Sequence, residues 1–144
     1  MSLAMSRAER EAFLAETHVA VVSVTEPGRG PLAVPVWYAY EPGGAVSFVT
    51  GGQSRKARLL RAAGRATVCV QEETPPYRYL TVEGPITLGT PSWERDVRPT
   101  AIRYLGEQMG EVYLEATAAD HEGAILVTLR PEHWLSVDYR KWTP

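Results

Sequence analysis

The feature that most constrains the fold is a rapid succession of short strand-like runs, rich in β-branched and aromatic residues and separated by tight Pro/Gly turns. Residues 19–25 end at Pro27-Gly28-Arg29-Gly30, and residues 32–40 end at Glu41-Pro42-Gly43-Gly44. Further runs follow at 46–50, 65–71, 79–88, 124–129 and 134–139, with Thr74-Pro75-Pro76 as another turn. Gly84-Pro85 lies inside one of them and predicts a bulge or bend. Only one helix is wedged among the first five strands, whereas an α/β sheet would alternate strand and helix throughout. The expectation is a mainly β chain, a small barrel of six to seven antiparallel strands with a few short flanking helices.

Helix signals are sparse and specific. Ser6-Arg7-Ala8-Glu9 fits a capping box that opens a helix to about residue 16. Residues 55–63 read as a helix capped by Ser54 and closed by Gly64. After Pro91 the pattern predicts two pieces, 92–97 and 100–109, interrupted by Pro99; a break at Gly110 precedes a last piece at 111–118.

The 144 residues suit one domain, 1–144, with an ordinary core. Met1-Ser2-Leu3 ahead of Met5 reads as partly vector-derived sequence over residues 1–5. Fifteen basic against seventeen acidic side chains give a formal charge of -2, which argues against a broad nucleic-acid surface. No apolar run is long enough to span a membrane and no secretory signal is evident. The lone Cys69 cannot form an internal disulfide, so a reducing cytoplasm is expected. His18, His121 and His133 show no metal-ligand spacing, so no metal site is expected. The segment Asp120-His121-Glu122 reads as a polar loop. Tyr104 and Tyr113 read as residues that pack helix against barrel.

The stretch Thr50-Gly51-Gly52-Gln53-Ser54-Arg55-Lys56 lies where a strand meets a helix. Two cations in a first helical turn oppose the helix dipole, which favours anions there. A bound phosphate would remove the conflict, drawing on backbone N–H groups, two glycines, two hydroxyls and two cations. The competing reading is a solvated helix start with Ser54 acting as a cap. Neither a Walker loop nor a dinucleotide glycine motif is present.

Ser47-Phe48-Val49-Thr50, then Ser54-Arg55-Lys56-Ala57, then a short helix and a Val-rich strand, together resemble the pyridoxamine 5′-phosphate oxidase-like superfamily of flavin-binding split barrels. Tyr79-Leu80-Thr81-Val82-Glu83-Gly84 resembles the strand of that family ending in Val-Glu-Gly. The resemblance implies a split β-barrel that holds the FMN phosphate with Thr50, Ser54, Arg55 and Lys56. It also implies that Val34, Pro35, Val36 and Trp37 lie along the ring system, with Tyr79 where the oxidases carry a glutamine. A homodimer with cofactor sites at the subunit interface is implied as well.

Departures from the oxidases point away from pyridoxamine phosphate as substrate. The strand Pro31-Leu32-Ala33-Val34-Pro35-Val36-Trp37-Tyr38 has no cation, and the C-terminal substrate motif is missing. The chain is more similar to the branch that uses FMN or the deazaflavin coenzyme F-420 to reduce small organic molecules. The implied function is therefore a flavin- or deazaflavin-dependent oxidoreductase, with no catalytic residue assignable. The alternative is a flavin- or haem-binding carrier or sensor of the same fold.

Overall fold

The computed structural model describes residues 2–144; Met1, part of the expected vector-derived stretch, lies outside them. Helix α1 spans Arg7–Ala15, and its capping box is formed: Ser6 Oγ accepts from the Glu9 amide while the Glu9 carboxylate accepts from Ser6 N–H. Seven strands follow: β1 Ala20–Val24, β2 Leu32–Val36, β3 Val46–Gly51, β4 Arg65–Glu72, β5 Arg78–Gly89, β6 Ala124–Leu129 and β7 His133–Asp138. Helix α2, Arg55–Ala63, separates β3 from β4, and α3, Arg98–Thr117, separates β5 from β6.

All pairings are antiparallel, in the order β2-β1-β4-β5-β6-β3, with β7 paired to β5. Ala39 and Ser47 exchange two backbone hydrogen bonds, at 2.8 and 3.0 Å, and bring the end of the β2 segment against β3. Alternate residues of β1, β3 and β4 point inward, placing Val22, Val46, Phe48, Val68 and Val70 in one core with Phe13 and Leu14 of α1. This is the mainly β barrel that the strand spacing predicts.

Gly84-Pro85 is the bend. Up to that point β5 lies between β4 and β7; beyond it, β5 pairs with β6 from Ile86 onward. A side chain at Gly84 would collide with the carbonyl oxygen of Arg130, because the β6–β7 connection crosses tightly over it. Arg130 N–H donates to Pro85 O and Glu132 N–H to Glu83 O in that crossing.

Two expectations for the helical segment need correction. Pro99 does not interrupt the helix but sits in the first turn of α3, where an amide hydrogen is not required. The break falls at Gly106 (φ 82°, ψ 170°), not at Gly110. Gly110 stays helical because its missing side chain lets the second half of α3 close onto Ala101 and Ile102. The result is a helical hairpin held outside the barrel by a small core of Val97, Ala101 and Leu114, against Val49 and Tyr113. The strand expected over 32–40 pairs with β1 only to Val36; Tyr38 N–H then turns to the Tyr104 hydroxyl at 3.1 Å, and Ala39 makes a single bridge to β3.

Candidate functional site

The junction between β3 and α2 is built as the sequence suggests. Ser54 Oγ accepts from Ala57 N–H at 3.1 Å and donates to Gly51 O at 2.8 Å, so the hydroxyl is spent on the turn itself. Gly52 N–H donates to Gly123 O, and a side chain at Gly52 would collide with that same carbonyl. Gly64 closes α2 in the left-handed conformation (φ 68°). The amides of Arg55 and Lys56, in the first turn, have no acceptor among the described residues.

Arg55 and Lys56 occupy different surroundings. Arg55 donates to both carboxylate oxygens of Glu26, with Nε–Oε2 at 2.9 Å and Nη2–Oε1 at 2.6 Å. The guanidinium holds the Glu26 carboxyl below its ordinary range, and Arg55 is correspondingly more basic. Lys56 has no carboxylate partner, and burial pushes its ammonium pKa down. Its side chain lines a cavity of about 400 Å³, a size within the usual range for small-molecule sites.

One wall of that cavity is Pro35, Val36 and Trp37 at the end of β2, with Val49 of β3 beside them. The helical segment supplies the other wall: Asp96, Val97, Thr100, Ala101, Tyr113 and His121. Trp37 stacks on Tyr104 with ring centroids 5.0 Å apart and planes 5° from parallel. Tyr104 in turn donates to His18 O at 2.6 Å and accepts from Tyr38 N–H, locking the hairpin to the barrel. Lys56 is thus a half-buried cation at the edge of a mostly apolar slot with an aromatic wall.

The family model described as pyridoxamine 5′-phosphate oxidase matches residues 6–138. The chain belongs to that family. Among solved structures, a conserved hypothetical protein from Mycobacterium tuberculosis superposes with a TM-score of 0.79 at 22% identity, covering 96% of this chain and 88% of that one. An F420 reductase gives a TM-score of 0.63 at 20% identity, with 87% and 94% covered. A FAD and haem binding protein from Mycobacterium smegmatis gives 0.71 at 18% identity, with 96% and 74% covered. At these identities the likeness is one of fold. No curated protein matches the sequence.

The residues expected to hold a cofactor divide. Pro35, Val36, Trp37 and Lys56 come together around the cavity. Thr50 is buried at the end of β3, Ser54 caps α2, and Val34 packs against the barrel core; none of the three lines the cavity. Tyr79 lies on a different depression, with Gln71, Tyr77 and Tyr139. Arg55 faces Glu26, so the charge conflict at the start of α2 is relieved for this residue inside the protein.

The sequence reading missed His121 and Asp96. His121 ends the 3₁₀ turn Ala118–His121, and its Nδ1 lies 2.9 Å from Thr117 O. A carbonyl only accepts, so Nδ1 carries the hydrogen and Nε2 is left uncommitted. The ring meets Trp93 edge-on at 5.5 Å. Asp96 is occupied, accepting from Ser92 N–H at 2.7 Å and from Arg95 at 3.4 Å. No local motif marks His121, which reaches the cavity only because α3 folds back at Gly106. Cys69 is half-buried, and burial pushes its thiol pKa up, the opposite of what a reactive thiolate needs. Among the described residues no cluster of metal-ligating side chains forms, and no helix is long and apolar enough to cross a membrane.

Proposed function

We propose that this chain binds FMN through its phosphate at the start of α2 and moves hydride to or from a small organic substrate other than pyridoxamine phosphate. The deazaflavin coenzyme F-420 is the alternative cofactor. One observation carries the proposal: Lys56, alone among the cavity's side chains in being a cation, has no carboxylate partner at the end of an aromatic-walled slot. A desolvated, unpaired ammonium beside two free helix-start amides is a site that an anion completes.

In this reading the Lys56 ammonium and the Arg55 and Lys56 amides hold the phosphate. Arg55 joins them by exchanging Glu26 for phosphate oxygens. Pro35, Val36 and Trp37 set the plane against which the ring system lies, and the hairpin limits water access from the opposite side. The bound cofactor would supply hydride chemistry, and the protein position and polarity. The F420 reductase of the same fold supports this assignment by analogy.

A homodimer is part of the proposal. Val21, Cys69, Thr81 and Leu135 form one row across β1, β4, β5 and β7 on the outer sheet face. Val21 is 40% and Leu135 59% exposed. With Val19, 54% exposed, they make an apolar sheet face that a second copy would cover. The reading also places the protein in a reducing cytoplasm, in keeping with the single Cys69.

Titration of the purified protein with FMN and, separately, coenzyme F-420, followed by absorption and fluorescence, tests the cofactor. A reductant-coupled screen of small unsaturated compounds then tests turnover. Binding of neither cofactor would sink the reading. The fold of the FAD and haem binding protein supports a second possibility, a flavin- or haem-binding carrier or sensor. Stoichiometric binding with no reoxidation by any acceptor would favour it.

A further inference from the structure

A second cavity, of about 470 Å³, opens between α1, the β2–β3 turn and the β6–β7 connection. Three guanidinium side chains line it, Arg7, Arg10 and Arg130, with Tyr40 and Trp134 as aromatic walls. Its two carboxylates are already engaged. Glu11 accepts from Arg7 at 3.2 Å, and Glu132 accepts from Arg65 at 2.9 Å, with Arg130 at 3.9 Å from its other oxygen. Arg10 has no ion-pair partner and donates no side-chain hydrogen bond among the described residues.

Arg10 is also held in place. Its guanidinium lies over the Trp134 ring, 4.5 Å from the centroid, and its Nε is buried without a partner. Among the described residues only one other buried guanidinium nitrogen is unpartnered, the Nε of Arg103. That side chain has a structural task, because its Nη2 donates to Ala15 O at 3.1 Å and to Glu16 O at 2.8 Å at the end of α1. Arg10 has no such task. A planar fork fixed on an aromatic shelf, with its donors unspent, matches the two oxygens of a carboxylate or phosphate. The Nη groups of Arg10 are not buried and make no hydrogen bond among the described residues, so they are the donors an oxyanion in the cavity can meet.

We propose that the Arg10–Trp134 cavity is a second anion-binding site, independent of the Lys56 cavity, which takes a small molecule by its carboxylate or phosphate group. Arg10 makes the two-pronged contact and Arg130 adds charge from the rim.

The test uses the full chain, ¹⁵N-labelled, with the Trp134 indole N–H resonance followed during titration with inorganic phosphate and, separately, benzoate. The expected result is a saturable shift at low-millimolar concentration or below for at least one probe. Which probe saturates first identifies the preferred oxyanion. R10M should weaken that response about tenfold or more, and K56A should leave it unchanged. R130Q, on the exposed rim, should weaken it by a smaller factor and serves if R10M does not fold. Absence of any shift below about 20 mM, or a response that tracks Lys56 in place of Arg10 or Arg130, would overturn the proposal.

Discussion

Arg55 and Lys56 are neighbours in the chain but not in surroundings: Arg55 is locked in a two-pronged ion pair with Glu26, while Lys56 lines the cavity with no carboxylate to meet. The pair of cations that marks the start of α2 is therefore already split before any ligand arrives. In the proposed site, Glu26 would compete with the cofactor phosphate for Arg55.

That competition gives the first prediction. Glu26→Gln weakens the hold on Arg55 and makes its guanidinium available to the phosphate. FMN affinity should rise by about two- to fivefold, with little change in the denaturation midpoint, because the ion pair is solvent-screened. Parallel binding titrations and denaturant melts of the two proteins check this. Weaker binding in the variant would show that Glu26 positions Arg55 and does not compete for it.

The second prediction concerns pH. Burial holds the Lys56 pKa below 10.5 in the free protein, and a bound anion raises it. The bound-state pKa is then the higher one. Affinity is fully present below the free-state pKa and is lost as pH rises from there toward the bound-state value. Dissociation constants for FMN measured from pH 7 to about pH 10 should therefore climb in the native protein. The alkaline climb should be much reduced in K56M.

Much of this arrangement is legible in the sequence, and the parts that are not share a cause. Ser54, Gly64 and the capping box at Ser6 act through their own backbone neighbourhood, so local pattern identifies them; at Gly84 the pattern marks the bend but not the Arg130 carbonyl that requires a glycine there. Glu26 lies 29 positions from Arg55, on the other side of two strands, and nothing local pairs them. His121 enters the cavity through a reversal at Gly106, which required choosing between Gly106 and Gly110. Only packing against Ala101 and Ile102 decides that choice. Tyr104 reads as a packing residue, and it stacks on Trp37. Its hydroxyl, which ties the hairpin to the chain just before β1 and just after β2, is not foreseeable because the groups it bonds are backbone atoms 66 and 86 positions away.

That tie is the basis of a third prediction. Tyr104→Phe keeps the stack on Trp37 but removes the donor to His18 O and the acceptor for Tyr38 N–H. A loss of about 1–3 kcal/mol is expected in chemical denaturation, since a partly buried amide is left unpaired. Hydrogen exchange should accelerate in the hairpin before it does in the barrel strands.

The exposed apolar row on the outer sheet gives a fourth. Leu135→Glu places a charge where a second copy would pack, without disturbing the inward-facing side of β7. Sedimentation should show a dimer for the native protein and a shift toward monomer for the variant. A monomeric native protein at micromolar concentration would contradict the dimer.

The most direct test of the account as a whole is the affinity of FMN and coenzyme F-420 for the native protein and for K56M, measured by fluorescence titration at neutral pH. Loss of a charge-assisted contact worth about 1.5–3 kcal/mol predicts affinity weaker by roughly 10- to 100-fold in the variant for whichever cofactor binds. Equal affinity in the two proteins would contradict the claim that Lys56 holds the phosphate.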